Sequence, residues 1–154
     1  MALGTLDVYH VGSVVEDLDA AMRSLGATLG LTWAPVQVRA QAVRNAAGEV
    51  VSERIRFTYS VEGTPHLELI ESTERSVWRP GPVGALHHVG AFADDVAAAS
   101  RRLAASGAAL EFGGGRGAEP AGFAYHLIPG GLRVELVEAR RRDEFVRWMA
   151  GGSL

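Results

Sequence analysis

The stretch Tyr9-His10-Val11-Gly12 has a near copy in His87-His88-Val89-Gly90, at a constant offset of 78 residues. The similarity continues through the segment that follows each copy. The matched pairs are His10/His88, Val11/Val89, Gly12/Gly90, Asp17/Asp95, Ala20/Ala98, Ala21/Ala99, Arg23/Arg101 and Leu25/Leu103. A repeated segment of this kind predicts two equivalent structural units, each of which opens in the same way.

A second repeated pair lies near the end of each half. Leu67-Glu68-Leu69-Ile70-Glu71 corresponds to Val134-Glu135-Leu136-Val137-Glu138, at an offset of 67 residues. Each half therefore opens with a histidine-bearing strand and closes with a glutamate-bearing strand. Two histidines and two glutamates at equivalent places indicate one site built around a pseudo-two-fold axis.

The hydrophobic pattern between these motifs gives the same element order in both halves. Alternating residues predict strands, and Asp17 and Gly30 bracket the first helix as its cap and its stop. The predicted strands are Asp7–Val15, Thr32–Val43, Val50–Val61, His66–Glu71, Leu86–Ala93, Ala108–Phe112, Gly122–Ile128 and Leu132–Val137. The predicted helices run from Asp17 to Leu29, from Asp94 to Ser106 and from Arg140 to Ala150.

This order predicts an α+β fold made of two tandem βαβββ modules. The modules form a curved, mostly antiparallel eight-stranded sheet around one trough. We expect a single domain over residues 1–154, with module 1 at about 5–72, a Pro/Gly-rich linker at about 73–85, module 2 at about 86–139 and a C-terminal helix at about 140–150.

Composition narrows the classes of partner. The formal net charge is −3 over 154 residues, so there is no broad basic field for nucleic acid or an anionic membrane. The chain has no cysteine, which excludes disulfides and thiolate ligands. No signal-peptide pattern and no apolar run long enough for a membrane span are present, and we expect a cytoplasmic protein.

Strand parity predicts which side chains meet. Side chains two residues apart share a face, and curling of both modules can bring His10, His88, Glu68 and Glu135 into one trough. A glycine two residues after each histidine leaves room on that face. Imidazole and carboxylate suit a divalent ion, and we expect one per chain, with Zn, Ni, Co, Mn and Mg not distinguished. His126 has the wrong parity to join this set.

These motifs together resemble the vicinal oxygen chelate superfamily, which includes glyoxalase I, methylmalonyl-CoA epimerase and the bleomycin-resistance and dioxygenase proteins. The resemblance runs from about Leu6 to Ala139 and implies that His10, Glu68, His88 and Glu135 are the metal ligands, with His87 a neighbour. It also implies a homodimer, which the apolar stripe of the C-terminal helix favours. The chain departs from many relatives at Ala21-Met22, where they carry Phe-Tyr, and at Glu68, where epimerases often carry Gln.

The resemblance also implies catalytic and substrate-binding residues. Glu53 falls where similar epimerases place a catalytic glutamate, and the alternatives are that a ligand glutamate, Glu135 or Glu68, takes the proton or that Glu53 only pairs with an arginine. The small-molecule substrate is expected to contact Trp33, Gln37, Tyr59 and Tyr125, with Phe57 and Phe123 as further wall candidates.

The leading functional hypothesis is a metal-dependent isomerase or epimerase. It removes a proton beside a carbonyl and stabilises the resulting enolate, with a methylmalonyl-CoA-like acyl thioester as the leading substrate type. One alternative is a glyoxalase I-like lyase that acts on a thiol adduct of a 2-oxoaldehyde. Another is a non-catalytic protein that binds a small molecule such as an antibiotic. A role in natural-product biosynthesis is compatible with each of these.

Overall fold

The computed structural model describes residues 4–154, and both halves of the chain have the predicted order of elements. The elements of the first half are β1 (Asp7–Val15), α1 (Leu18–Leu29), β2 (Gln37–Asn45), β3 (Val50–Tyr59) and β4 (His66–Glu71). Those of the second half are β5 (His88–Ala93), α2 (Val96–Ala105), β6 (Ala109–Gly114), β7 (Phe123–Leu127) and β8 (Arg133–Glu138). A short 3-10 turn (Ala139–Arg141) then leads into α3 (Arg142–Met149).

Most predicted element boundaries lie within about two residues of the observed ones, but the start of the second strand does not. The second strand begins at Gln37 instead of Thr32. Trp33 forms only an isolated bridge to Ser60, and Pro35 lacks the N–H that a continuous ladder needs. The C-terminal helix was predicted from Arg140, but the chain passes first through the 3-10 turn.

The two long helices begin with equivalent caps. Oδ1 of Asp17 accepts a hydrogen bond from Ala20 N at 2.8 Å, and Oδ1 of Asp95 accepts one from Ala98 N at 2.8 Å. Each carboxylate satisfies an N–H group that has no partner within its helix. Gly30 ends α1 in the left-handed conformation, with φ of 71°. None of the helices in residues 4–154 has the length and apolarity needed to span a membrane.

The eight strands form one closed barrel in the order β1-β4-β3-β2-β6-β7-β8-β5. The β1–β4 and β5–β8 pairs are parallel, and the other neighbouring pairs are antiparallel. The predicted curved sheet is therefore confirmed, and it closes on itself. Closure depends on two seams between the modules, β1 with β5 and a short β2–β6 ladder that pairs Val43 with Gly114 and Asn45 with Phe112.

The β1–β5 seam makes the two histidine motifs reciprocal neighbours. In its register His10 pairs with Gly90, Val11 with Val89, and Gly12 with His88. The pseudo-two-fold axis therefore passes through the Val11–Val89 pair. Because both histidines are at most 1% exposed, this seam carries them into the barrel interior.

The C-terminal helix α3 packs against the barrel core. Phe145 and Trp148 are 5% and 0% exposed, and Trp148 Nε1 donates a hydrogen bond to Pro35 O at 2.8 Å. The Phe145 ring stacks on Tyr59 with centroids 5.5 Å apart. The apolar stripe of this helix is thus covered within the same chain, and it does not provide the exposed surface that had favoured a dimer.

Candidate metal centre and adjoining cavity

The four predicted ligand residues converge in the barrel interior. One ligand atom from each of His10, Glu68, His88 and Glu135 lies within 4.8 Å of all the others, and all four residues are buried. The two Nε2 atoms are 2.9 Å apart. Oε2 of Glu68 lies 2.9 Å from His88 Nε2 and 3.2 Å from His10 Nε2. Oε2 of Glu135 lies 3.0 Å and 3.3 Å from the same nitrogens of His10 and His88.

Two glycines make space for the imidazole rings. A Cβ atom on Gly90 would lie 1.8 Å from His10 Cε1, and one on Gly12 would lie 1.9 Å from His88 Cε1. These distances exclude any side chain at either position while the rings keep their places. The glycine of each module therefore accommodates the histidine of the other module. The sequence predicted only that these glycines leave space on the strand face, whereas the structure requires glycine at both positions.

Hydrogen bonding determines which nitrogen of His88 carries hydrogen. The carbonyl of Val77 can only accept, so His87 Nε2, at 2.7 Å, carries hydrogen and donates to it. Burial lowers the pKa of His87 to about 4, so its Nδ1 is a bare acceptor at neutral pH. His88 Nδ1, 2.9 Å from that atom, must be the donor. When the His88 ring is neutral, as a metal ligand must be, the lone pair of its Nε2 therefore faces the cluster.

Charge within the cluster shifts the pKa of each member. Burial lowers the pKa of His88, but the adjacent carboxylates of Glu135 and Glu68 outweigh it and raise that pKa to about 9. The pKa of His10 is also raised, because the same glutamates oppose its burial. Burial favours protonated glutamates, yet the two histidines hold the pKa of Glu68 and of Glu135 below the usual range. The cluster therefore holds two carboxylates that suit a cation.

The donor set fits a divalent ion on geometric grounds. Ligands at about 2.1 Å from one ion lie roughly 3.0 to 3.4 Å from adjacent ligands, which is close to the spacings observed here. Two imidazole nitrogens at 2.9 Å need a cation or a shared proton between them. Oε2 of Glu135 is buried against both histidine nitrogens, and no group in residues 4–154 donates a well-directed hydrogen bond to it. His10, Glu68, His88 and Glu135 are thus the residues that could hold a metal.

A cavity adjoins the cluster. Glu68 and Glu135 contribute to its wall, whereas His10 and His88 do not. Its aromatic lining consists of Phe57, Tyr59, Trp78, Phe123, Tyr125 and Phe145. A ligand in this cavity would therefore approach the cluster from the side of the two glutamates.

The structure places two of the four predicted substrate contacts in this cavity. Tyr59 and Tyr125 line it, as do the wall candidates Phe57 and Phe123. Trp33 and Gln37 lie elsewhere. The indole of Trp33 donates to Met22 O of α1 at 3.0 Å, and the Gln37 amide donates to Pro35 O at 3.2 Å. Both side chains are therefore engaged with nearby backbone outside the cavity.

Glu53 is buried beyond the cavity wall. It shares its strand face with Ile55 and pairs in register with Gln41, and both of these residues line the cavity. Its Oε1 accepts a hydrogen bond from Arg75 N at 2.6 Å, and its Oε2 is buried without a partner in the described chain. It lies six residues, about 20 Å of extended strand, from Tyr59, which pairs with Glu68. Its role as base stays a prediction.

His126, Glu71 and Glu138 lie outside the cluster. His126 is buried between Ser100 Oγ at 2.8 Å and Ala108 O at 2.9 Å, where it links α2 to the barrel. Glu71 and Glu138, which occupy the opposite strand parity, pair with Arg56 and Arg140. Both carboxylates are therefore ion-pair partners of arginines and not members of the cluster.

Sequence reasoning missed several residues of the cavity wall. Among them, Trp78 lies in the linker, Arg141 and Phe145 follow the last strand, and Arg39 lies on β2. Trp78 Nε1 donates to the Tyr125 hydroxyl at 3.1 Å. The one sequence signal was the presence of an aromatic residue, Trp78, in a Pro/Gly-rich linker. The linker sequence does not indicate that this segment folds over the barrel.

A comparison with protein-family models agrees with this fold and this cluster. Residues 9–125 match the model of the Glyoxalase/Bleomycin resistance protein/Dioxygenase superfamily, and the chain belongs to this superfamily. A comparison with curated protein sequences gives no significant match.

Solved structures of methylmalonyl-CoA epimerases share the fold. The Mycobacterium tuberculosis enzyme is 22% identical with a TM-score of 0.55, covering 90% of this chain and 91% of the epimerase. A Streptomyces coelicolor variant in complex with 2-nitronate-propionyl-CoA is 22% identical with a TM-score of 0.56, covering 88% and 99%. An epimerase in complex with methylmalonyl-CoA and NH4+ is 22% identical with a TM-score of 0.56, covering 87% and 95%.

Proposed function

We propose that this protein is a metal-dependent isomerase or epimerase that removes a proton from a carbon beside a carbonyl. The observation that carries the proposal is the position of the His–Glu cluster at the wall of an aromatic cavity. Its two histidines are enclosed, and its two glutamates face the cavity. A substrate oxygen can reach the ligand centre only from that side.

A divalent ion held by His10, Glu68, His88 and Glu135 would supply positive charge that stabilises the anion left when the proton departs. The protein must supply the base. Glu135 is one candidate, because it belongs to the cluster and also lines the cavity. Glu53 is the other candidate, because it is a second buried carboxylate with a free oxygen near the cavity end. Either group has acceptor capacity for a proton.

Two tyrosines are suited to orient the substrate. Burial and the charges of the cluster glutamates raise the pKa of Tyr59 and of Tyr125 well above the usual value, so both remain neutral hydroxyl donors. The Tyr125 hydroxyl accepts a hydrogen bond from Trp78 Nε1 and lines the cavity together with Glu135. The aromatic wall would exclude water around the reacting carbon.

An acyl thioester related to methylmalonyl-CoA is the leading substrate type. Support comes from the epimerase structures that share the fold and carry methylmalonyl-CoA or 2-nitronate-propionyl-CoA. A homodimer also belongs to this proposal, on the family resemblance alone. Multi-angle light scattering would give the mass in solution, and a value of one chain would remove the dimer.

A glyoxalase I-like lyase is the second candidate, and Glu68 favours it. Both carboxylate ligands are glutamates here, each within 3.3 Å of both histidine nitrogens. In such a lyase Glu68 or Glu135, both of which line the cavity, would act as the base beside the reacting carbon.

Deuterium exchange separates these candidates. Purified protein loaded in turn with Zn, Ni, Co, Mn and Mg is incubated in heavy water with a panel of 2-substituted acyl thioesters, and exchange at the α carbon is followed by NMR. The glutathione hemithioacetal of methylglyoxal is run in parallel. Exchange into an acyl thioester supports the epimerase, and turnover of the hemithioacetal supports the lyase. Metal-loaded protein that exchanges neither yet binds a bulky natural product would support the binding protein.

A further inference from the structure

Two arginines line the cavity together with the cluster glutamates. Arg39 comes from β2 in module 1, and Arg141 comes from the 3-10 turn before α3. Each guanidinium lies over an aromatic ring that is itself part of the wall, Arg39 over Phe57 at 5.9 Å and Arg141 over Phe145 at 5.2 Å. Stacking on a ring face leaves the N–H edges of a guanidinium free to bind an anion.

These guanidinium groups have few protein partners. Within residues 4–154, the Arg39 guanidinium has no hydrogen-bond partner and no carboxylate within ion-pair distance. Arg141 is engaged only through Nε, which lies 3.2 Å from Glu144 Oε2. By contrast, Arg56, Arg101, Arg133, Arg140 and Arg142 each contact a carboxylate directly. Two half-buried cations with unused donors therefore face the same space.

The arginines lie some distance from the ligand cluster. Arg39 pairs in register with Ile55, which is four residues before Tyr59, and Tyr59 pairs with Glu68. Four residues of extended strand correspond to about 13 Å. The wall between these levels is largely apolar, with Ile55, Phe57 and Ile70 on one side and Phe123 and Val137 on the other.

We propose that Arg39 and Arg141 form an anion subsite that binds a carboxylate or phosphate group of the substrate. The substrate would then be an organic anion with an apolar body, whose reacting carbonyl end lies at the His–Glu cluster and whose charged end lies at the arginines. This inference rests on the proposed function for the reacting end. The subsite itself requires only the arginines and the apolar wall.

The electrostatics of the pair agree with a bound anion. Partial burial and the positive charge of Arg141 lower the pKa of Arg39, which is the direction expected for a cation that gains stability when an anion arrives. A bidentate contact from a guanidinium to a carboxylate or phosphate would use the donors that no protein group uses.

Matched ligands test the subsite. Phenylacetate, 3-phenylpropanoate, 4-phenylbutanoate and 3-phenylpropyl phosphate are titrated into purified, metal-loaded protein by calorimetry, each beside the alcohol of the same carbon skeleton. We expect at least one anion to bind about tenfold or more tightly than its alcohol. That preference should fall to about threefold or less in Arg39→Gln and Arg141→Gln. Arg23→Gln, on the exposed surface of α1, is the matched control and should retain it.

The outcomes separate the subsite from the proposed catalysis. A preference that survives in both Arg39→Gln and Arg141→Gln, or no preference for any anion, overturns the subsite. A preference lost only in His10→Ala would show that the metal centre holds the anion, which also overturns it but leaves the proposed function standing. A preference that depends on the arginines in a protein without proton exchange supports the subsite and removes the proposed function. Tighter binding of carboxylates than of the phosphate would indicate that the charge is a carboxylate.

Discussion

The imidazole of His10 lies directly against the α carbon of Gly90, its register partner across the seam between the modules. The mirror relationship joins His88 to Gly12. Each metal-ligand candidate therefore depends on the absence of a side chain in the other repeat. The His-x-Gly motif therefore works only when both copies are present, because the glycine of each copy makes room for the histidine of the other.

Gly90→Ala should disrupt the metal centre more than it disrupts the fold. A new Cβ would lie 1.8 Å from His10 Cε1, so the His10 ring must move away from the cluster. We expect metal affinity to fall by about a hundredfold or more, because the loss of a ligand exceeds the roughly 10- to 100-fold effect of an outer-shell change. Competition with a chromogenic chelator measures this. Gly81→Ala is the control, because its Cβ would meet Ala85 Cβ at an ordinary 3.5 Å.

His10→Ala and His88→Ala should each remove most of the bound metal. Each substitution deletes one of four converging ligand atoms. His126→Ala should keep about one ion per chain, because its ring bonds only to Ser100 and Ala108. His87→Ala should also keep its ion but weaken its affinity about tenfold, since His87 orients the His88 ring. Elemental analysis gives the occupancies, and unchanged metal in both His10→Ala and His88→Ala would rule out the site.

The stability of the metal-free protein should peak near pH 6.5. The pKa of His88 is raised to about 9, so its stabilising contribution is complete below the unfolded value of 6.5 and is lost as the pH rises toward 9. The pKa of His87 is lowered to about 4, so stability is lost again as the pH falls from 6.5 toward 4. Urea unfolding after EDTA treatment should give this maximum. His88→Gln should flatten the alkaline side, and equal alkaline slopes in both proteins would contradict the assignment.

Glu53→Gln and Glu135→Gln should separate the two candidate bases. If Glu53 is the base, Glu53→Gln keeps the metal and the fold but loses about a hundredfold or more in α-proton exchange. Glu135→Gln changes the ligand set as well, so its metal affinity should fall together with exchange. Exchange rates in heavy water and metal content are measured on both. Wild-type exchange in Glu53→Gln would assign the base to a ligand glutamate.

Trp148→Ala should destabilise the protein by about 3–5 kcal/mol, because it removes a fully buried indole and its hydrogen bond to Pro35 O. Val146→Ala, on the exposed side of the same helix, should change the free energy of unfolding by less than about 0.5 kcal/mol. Chemical denaturation gives both values. Similar small effects from the two substitutions would show that α3 is not part of the core.

The sequence by itself determined the modules and the four residues of the His–Glu cluster. The repeat fixed the β-α-β-β-β order, and the parity of His10, Glu68, His88 and Glu135 placed these residues on inward faces, because side-chain direction alternates along a strand. Caps such as Asp17 and Asp95 could also be predicted, since they act within three residues of their own position. Local periodicity carries this information.

Only the tertiary structure decided how the barrel closes and what lines the cavity. The β2–β6 ladder, the packing of Trp78 and Phe145 on the wall and the meeting of Arg39 with Arg141 join segments far apart in the chain. No periodic pattern encodes which distant segments come together. The same applies to Trp33 and Gln37, whose side chains bond to nearby backbone instead of facing the cavity. Contacts between segments depend on the packing of the whole barrel, and for that reason the sequence predicted the His–Glu cluster better than the cavity around it.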